Sequence, residues 1–137
     1  MSKIKIMVVD DEIEIIMLVA SKLRVCGYEV ITASDAVRAT HIAVTEQPDL
    51  CILDIGMPGG SGYMVAERLT KNSRTMGTPI VFLTGRTSRE DEKQAMDAGA
   101  FAYLIKPFKF EELLDVIAAA LASVGKEAPA RSAGPVV

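Results

Sequence analysis

The chain has 137 residues, a formal net charge of −3, hydrophobic residues at 50% and charged residues at 24%. That length suits one domain with a real core and is too short for two, and its apolar runs stop well short of a membrane span. No basic run and no interleaved aromatics are present, so direct nucleic-acid binding has little electrostatic support. The N-terminus opens on a strand pattern rather than a signal peptide, which leads to the expectation of a cytoplasmic protein. Cys26 and Cys51 fit that setting as buried thiols rather than disulfide partners or metal ligands.

Five strand-like runs alternate with five helix-like segments. The first strand is predicted over residues 3–9, an apolar run that ends in Asp10 and Asp11. Helix one then starts with Asp11 as its cap and Glu14 reaching back. Ile13, Ile16, Met17, Ala20 and Leu23 turn to the sheet, and Gly27 supplies a left-handed end. Strand two covers 28–32. Ser34 is expected to cap helix two, whose inner face is Ala36, Ala39 and Ala43 and which Pro48 stops; His41 lies on its solvated side.

Strand three spans 49–53 and ends in Asp54. After the turn Met57-Pro58-Gly59-Gly60-Ser61-Gly62, helix three points Val65, Ala66 and Leu69 inward. Strand four covers 79–83, followed by Thr84. Helix four, from Ser88, has almost no apolar anchor before Ala95 and Met96, and should be loosely held. Strand five covers 101–105 and leads to Lys106 and Pro107; helix five follows from about Phe110 and buries Leu113, Leu114, Ile117, Ala118 and Leu121. Residues 1–124 thus form one domain, and 125–137, without apolar period, should be a disordered tail.

Alternation of this kind indicates an α/β fold, a parallel sheet with helices on both faces, and the nearly continuous apolar strands three to five suit burial on both sides. Ligands of such sheets bind beyond the carboxyl ends of the strands. Asp10, Asp11, Asp54, Thr84 and Lys106 all stand at those ends. Two carboxylates about 4 Å apart repel by roughly 4 kcal/mol at an effective dielectric near 20, so three of them at one edge invite a divalent cation.

The signature Asp10-Asp11, Asp54-Ile55-Gly56-Met57-Pro58-Gly59, Leu83-Thr84, Tyr103 and Lys106-Pro107-Phe108 resembles the receiver domain of two-component response regulators, over residues 3 to about 124. The resemblance implies a flavodoxin-like doubly wound sheet of strand order 2-1-3-4-5. It implies Asp54 as phosphoacceptor from a sensor histidine kinase or histidine phosphotransfer protein. It further implies Mg²⁺ held by Asp11, Asp54, Asp10 through water and the Gly56 backbone carbonyl, with Lys106 and Thr84 contacting the phosphoryl oxygens. Thr84 and Tyr103 would form the switch that reshapes the surface of helix four, strand five and helix five, and the Lys106-Pro107 bond would be cis.

On this reading the protein is no enzyme beyond its own phosphorylation and dephosphorylation. It acts on an unidentified protein partner, without nucleic acid or membrane, as a monomer or a phosphorylation-dependent dimer. Gly56 two residues after Asp54, and Arg86 two after Thr84, offer no group to position or activate water, so a slowly lost phosphoryl group is expected. The receiver either stands alone or belongs to a longer regulator or hybrid kinase. An aspartate-nucleophile phosphatase of the haloacid dehalogenase type would place a second acid where this chain has Gly56. A flavodoxin-like flavin protein would need a Ser/Thr/Gly-rich loop where Asp10 and Asp11 stand.

Overall fold

β1 (Lys5–Val9), β2 (Glu29–Ala33), β3 (Leu50–Asp54), β6 (Ile80–Thr84) and β7 (Ala102–Ile105) form a parallel sheet in the order β2-β1-β3-β6-β7. The computed structural model describes residues 3–57, 60–85 and 89–131. Apart from a small antiparallel hairpin, β4 (Gly56–Met57) with β5 (Gly60–Ser61), the order is the expected flavodoxin-like 2-1-3-4-5. The helices are α1 (Ile13–Val25), α2 (Ala36–Glu46), α3 (Gly62–Lys71), α4 (Arg89–Asp97) and α5 (Phe110–Ser123). Among the described residues no helix is long and apolar enough to cross a membrane.

Side-chain alternation along the strands divides the core in two. Met7, Val9, Cys51, Leu53 and Phe82 pack with residues of α2, α3 and α4, and Ile6, Val8, Leu50, Ile52, Val81 and Leu83 pack with α1 and α5. β3 and β6 are buried along their whole length, which is why both read as unbroken apolar runs. Register then decides where the polar residues emerge. Val9 is level with Leu53, Leu53 with Phe82, and Thr84 with Ile105, so Asp10, Asp54, Thr84 and Lys106 leave the sheet at nearly one height.

Several local expectations change. Glu12, not Asp11, occupies the N-cap of α1, and its side chain makes no capping hydrogen bond. Asp10 fixes that turn instead, its Oδ1 accepting from the Glu12 N–H at 2.9 Å. In α1 Ile13 and Met17 are exposed, whereas Ile16, Val19, Ala20 and Leu23 are buried. Asp35 rather than Ser34 caps α2, accepting from the Arg38 N–H at 2.8 Å, and the helix ends at Gln47 in the left-handed region (φ 48°) before Pro48. Ser61 caps α3. Ala95 anchors α4 while Met96 is exposed, and in α5 Ala120 is fully buried where Ala118 is only half-buried.

The expected disordered tail begins otherwise. Residues 126–131 fold back, with Lys126 paired to Asp49, Arg131 to Asp115 at 2.8 Å, and Ala128 against the α1/α5 core. The remainder of that expectation, 132–137, lies outside the described residues, as do Pro58, Gly59, Arg86 and Ser88.

Gly62 ties the fold to the site. Its N–H donates to the Ile55 carbonyl at 2.8 Å, and a Cβ there would collide with the carbonyl of Asp54. The start of α3 therefore lies directly against the end of β3. Gly62→Ala is expected to lower stability by about 1–3 kcal/mol, measured by urea unfolding, with a wild-type midpoint as the contrary result.

Candidate functional site

The carboxyl end of the sheet holds a cleft of about 450 Å³ lined by Asp11, Glu12, Asp54, Gly56, Thr84, Gly85 and Lys106. Its polar groups come from the ends of four strands. Asp10 sits just past β1 and is 1% exposed, Asp54 ends β3 and is 8% exposed, and Thr84 ends β6 and is buried. Lys106 follows β7, its backbone N–H donating to the Thr84 carbonyl at 2.7 Å, and the Lys106-Pro107 bond is cis.

One ammonium holds the acids together. Lys106 Nζ lies 2.7 Å from Asp10 Oδ2, 3.5 Å from Asp54 Oδ1 and 3.5 Å from Glu12 Oε1. Burial draws the Lys106 pKa down, but the hydrogen bond and charge of Asp10, with Asp54 and Glu12, outweigh it and leave the pKa raised. Asp54 moves the other way from an ordinary carboxyl. Burial first, then the charge of Asp10, push it from 3.8 to about 6; Lys106 opposes this and Asp11 adds to it.

Asp10, Asp11 and Glu12 each offer a carboxylate oxygen, and these oxygens lie within 4.8 Å of one another. The sequence-predicted Asp11, Asp54, Gly56, Thr84 and Lys106 thus line one cleft, and Asp10, almost fully buried, joins them through Lys106. Glu12 joins them although sequence reasoning passed over it; the run of three acids at a strand end was the available signal. Tyr103 stands apart from the cleft, half-buried against the α2/α3/α4 core beside Phe82, with which it is in register. Phe82 in turn makes an edge contact with Tyr63 at 5.3 Å between ring centres. The other candidates stay outside the chemistry: His41 is exposed, and the thiols of Cys26 and Cys51 are free, the latter pushed up to about 12 by burial.

A family model described as the response regulator receiver domain matches residues 6–118. The chain belongs to that family. Among curated relatives, this receiver is 38% identical over 117 residues to the DNA-binding dual master transcriptional regulator RpaA of Synechocystis sp., covering 85% of this chain and 48% of that protein. The receiver spans about half the length of the curated relatives it matches. Its fold matches chemotaxis response regulator CheY4 of Vibrio cholerae with a TM-score of 0.82 and 34% identity, over 87% of this chain and 99% of that one. It also matches the receiver domain of sensor histidine kinase PA1611 from Pseudomonas aeruginosa, whose structure carries a magnesium ion in the active-site cleft, with a TM-score of 0.82 and 26% identity over 88% and 99% of the two chains.

The raised Asp54 pKa ties stability to pH. Between about pH 4 and 6 the folded receiver holds a proton that the unfolded chain releases, so stability falls as pH rises through that window. Holding this carboxyl near 6 instead of 3.8 corresponds to about 3 kcal/mol of charge burial at neutral pH. Asp54→Asn, assayed without divalent cation, is therefore expected to stabilise the fold by about 1–3 kcal/mol at pH 8, with the gain disappearing below about pH 4. A variant less stable than wild type at pH 8 would contradict the electrostatics.

Proposed function

We propose that this receiver takes a phosphoryl group onto Asp54 from a phosphohistidine of a sensor histidine kinase or histidine phosphotransfer protein, with Mg²⁺. The phosphorylated state would change the surface of α4, β7 and α5 to control a partner protein. The observation that carries this reading is a nearly buried carboxylate sharing a lysine ammonium with Asp10 in an open cleft. An Asp54 oxygen attacks phosphorus, the P–N bond to the donor imidazole breaks, and an acyl phosphate results. As a carboxylate, Asp54 needs no base to deprotonate it at neutral pH.

The donor set suits Mg²⁺, since hard carboxylate oxygens converge from Asp10 and Asp11, with Asp54 and Gly56 lining the same cleft. When bound, the cation neutralises charge on the transferring phosphoryl oxygens. Asp11 would ligate it directly, Asp10 through water, and Asp54 and the Gly56 carbonyl would complete the protein's share. Lys106 pairs with one phosphoryl oxygen as a compact point charge, and the Thr84 hydroxyl donates to another.

Transmission follows the strands. Thr84 and Phe82 share a face of β6, and Tyr103 on β7 is in register with Phe82, so a shift of Thr84 opens space on the face that Tyr103 occupies. Ala95 of α4 packs into that same core, which links the site to the α4 surface. The receiver would act in the cytoplasm, as a monomer or phosphorylation-dependent dimer, by protein contact and without itself touching nucleic acid or turning over an outside substrate.

Incubation with acetyl phosphate and Mg²⁺ followed by intact mass should show one added phosphoryl group on wild type and none on Asp54→Asn. Equal labelling of the variant would reassign the nucleophile. With Gly56 and Arg86 at the two positions that could manage water, the isolated phosphoprotein should persist for minutes or longer, and loss within seconds would reject that part.

A further inference from the structure

The N-cap residue of a helix ordinarily spends its side chain on a first-turn N–H. Glu12 does not. Its backbone N–H is committed to Asp10 Oδ1 and its carboxylate, 62% exposed at the rim, turns to Lys106 Nζ at 3.5 Å. The same ammonium is 2.7 Å from Asp10, whose oxygens belong to the cluster with Asp11 and Glu12.

A dication among those acids and an ammonium on Asp10 compete for one place. At about 4 Å their repulsion is roughly 8 kcal/mol at an effective dielectric near 20. Lys106 must then shift, and its two other acid neighbours are Asp54 and Glu12, both at 3.5 Å. Asp54 faces the cleft and carries the reacting oxygen, whereas Glu12 lies at the rim of the cleft on α1. We propose that Glu12 is a positioning residue: it takes over the Lys106 ammonium from Asp10 when a divalent cation enters, and so sets cation affinity through the lysine. This rests on the Mg²⁺ reading above and adds a role for a residue outside the predicted ligand set.

Calorimetric Mg²⁺ titration of wild type, Glu12→Gln, Lys106→Met and the double variant of the whole chain tests it, with thermal unfolding of each as a check on folding and Lys106→Gln standing in where the methionine variant does not fold. Glu12→Gln should weaken Mg²⁺ binding about fivefold in the native background, the scale of an exposed ion pair. In the lysine-free background its effect should fall within about twofold, the limit of ordinary additivity. The same loss in both backgrounds would mean that Glu12 acts on the cation directly, and no loss in the native background would make it a bystander; either overturns the proposal. Wild type that binds no Mg²⁺ would instead bring down the underlying cation reading, and this inference with it, in a separate arm of the experiment.

Discussion

The Lys106 ammonium sits among carboxylates that the sheet gathers from places far apart in the chain, and its balance with them governs the rest of the molecule. Without that positive charge, Asp10 and Asp54 would be two nearly buried acids with no cation between them. With it, the unphosphorylated site is tolerable but not comfortable, since Asp54 still holds its proton up to about pH 6. A site left in that state has free energy to gain from an added cation, and the phosphoryl group it would then accept brings negative charge that Lys106 is already placed to meet.

The fold maintains this imbalance through backbone geometry. Parallel register brings the ends of β1, β3, β6 and β7 to one level, and a core on each face holds the strands there. Gly62 lets α3 begin against the backbone of Asp54, while the link from Lys106 N–H to the Thr84 carbonyl ties the lysine to the end of β6. On the proposed reading, movement at Thr84 would be felt on β7 and, through the shared core, at α4, whose hold on the sheet among its described side chains comes mainly from Ala95.

Much of this was legible before any coordinates. Strands buried on both faces announce themselves as apolar runs, and β3 and β6 emerged within one residue of their predicted ends; β7, expected to be buried likewise, is an edge strand that is only half-buried, with Ile105 exposed. Since the polar residues that follow such runs must emerge at the sheet edge, the candidate site could be placed as well. What the sequence hid was local. Asp11 and Glu12, or Ser34 and Asp35, stand side by side at a helix start, and residue type alone does not tell which takes the N-cap position. α1 carries apolar residues around most of its circumference, so periodicity alone does not tell that Ile13 and Met17 face outward while Val19 faces in. An acid at a helix start, as Glu12 is, has an ordinary explanation that hides any further role. The fold-back of 126–131 depends on scattered ion pairs with Asp49 and Asp115, contacts with no periodic trace.

The most direct test of the charge balance is a titration of the Asp54 carboxyl by carbon-13 NMR, with and without Mg²⁺. The account predicts a midpoint near 6 in the cation-free protein and a clear downward displacement as Mg²⁺ is added. A midpoint at the ordinary carboxylate value that ignores Mg²⁺ would contradict it.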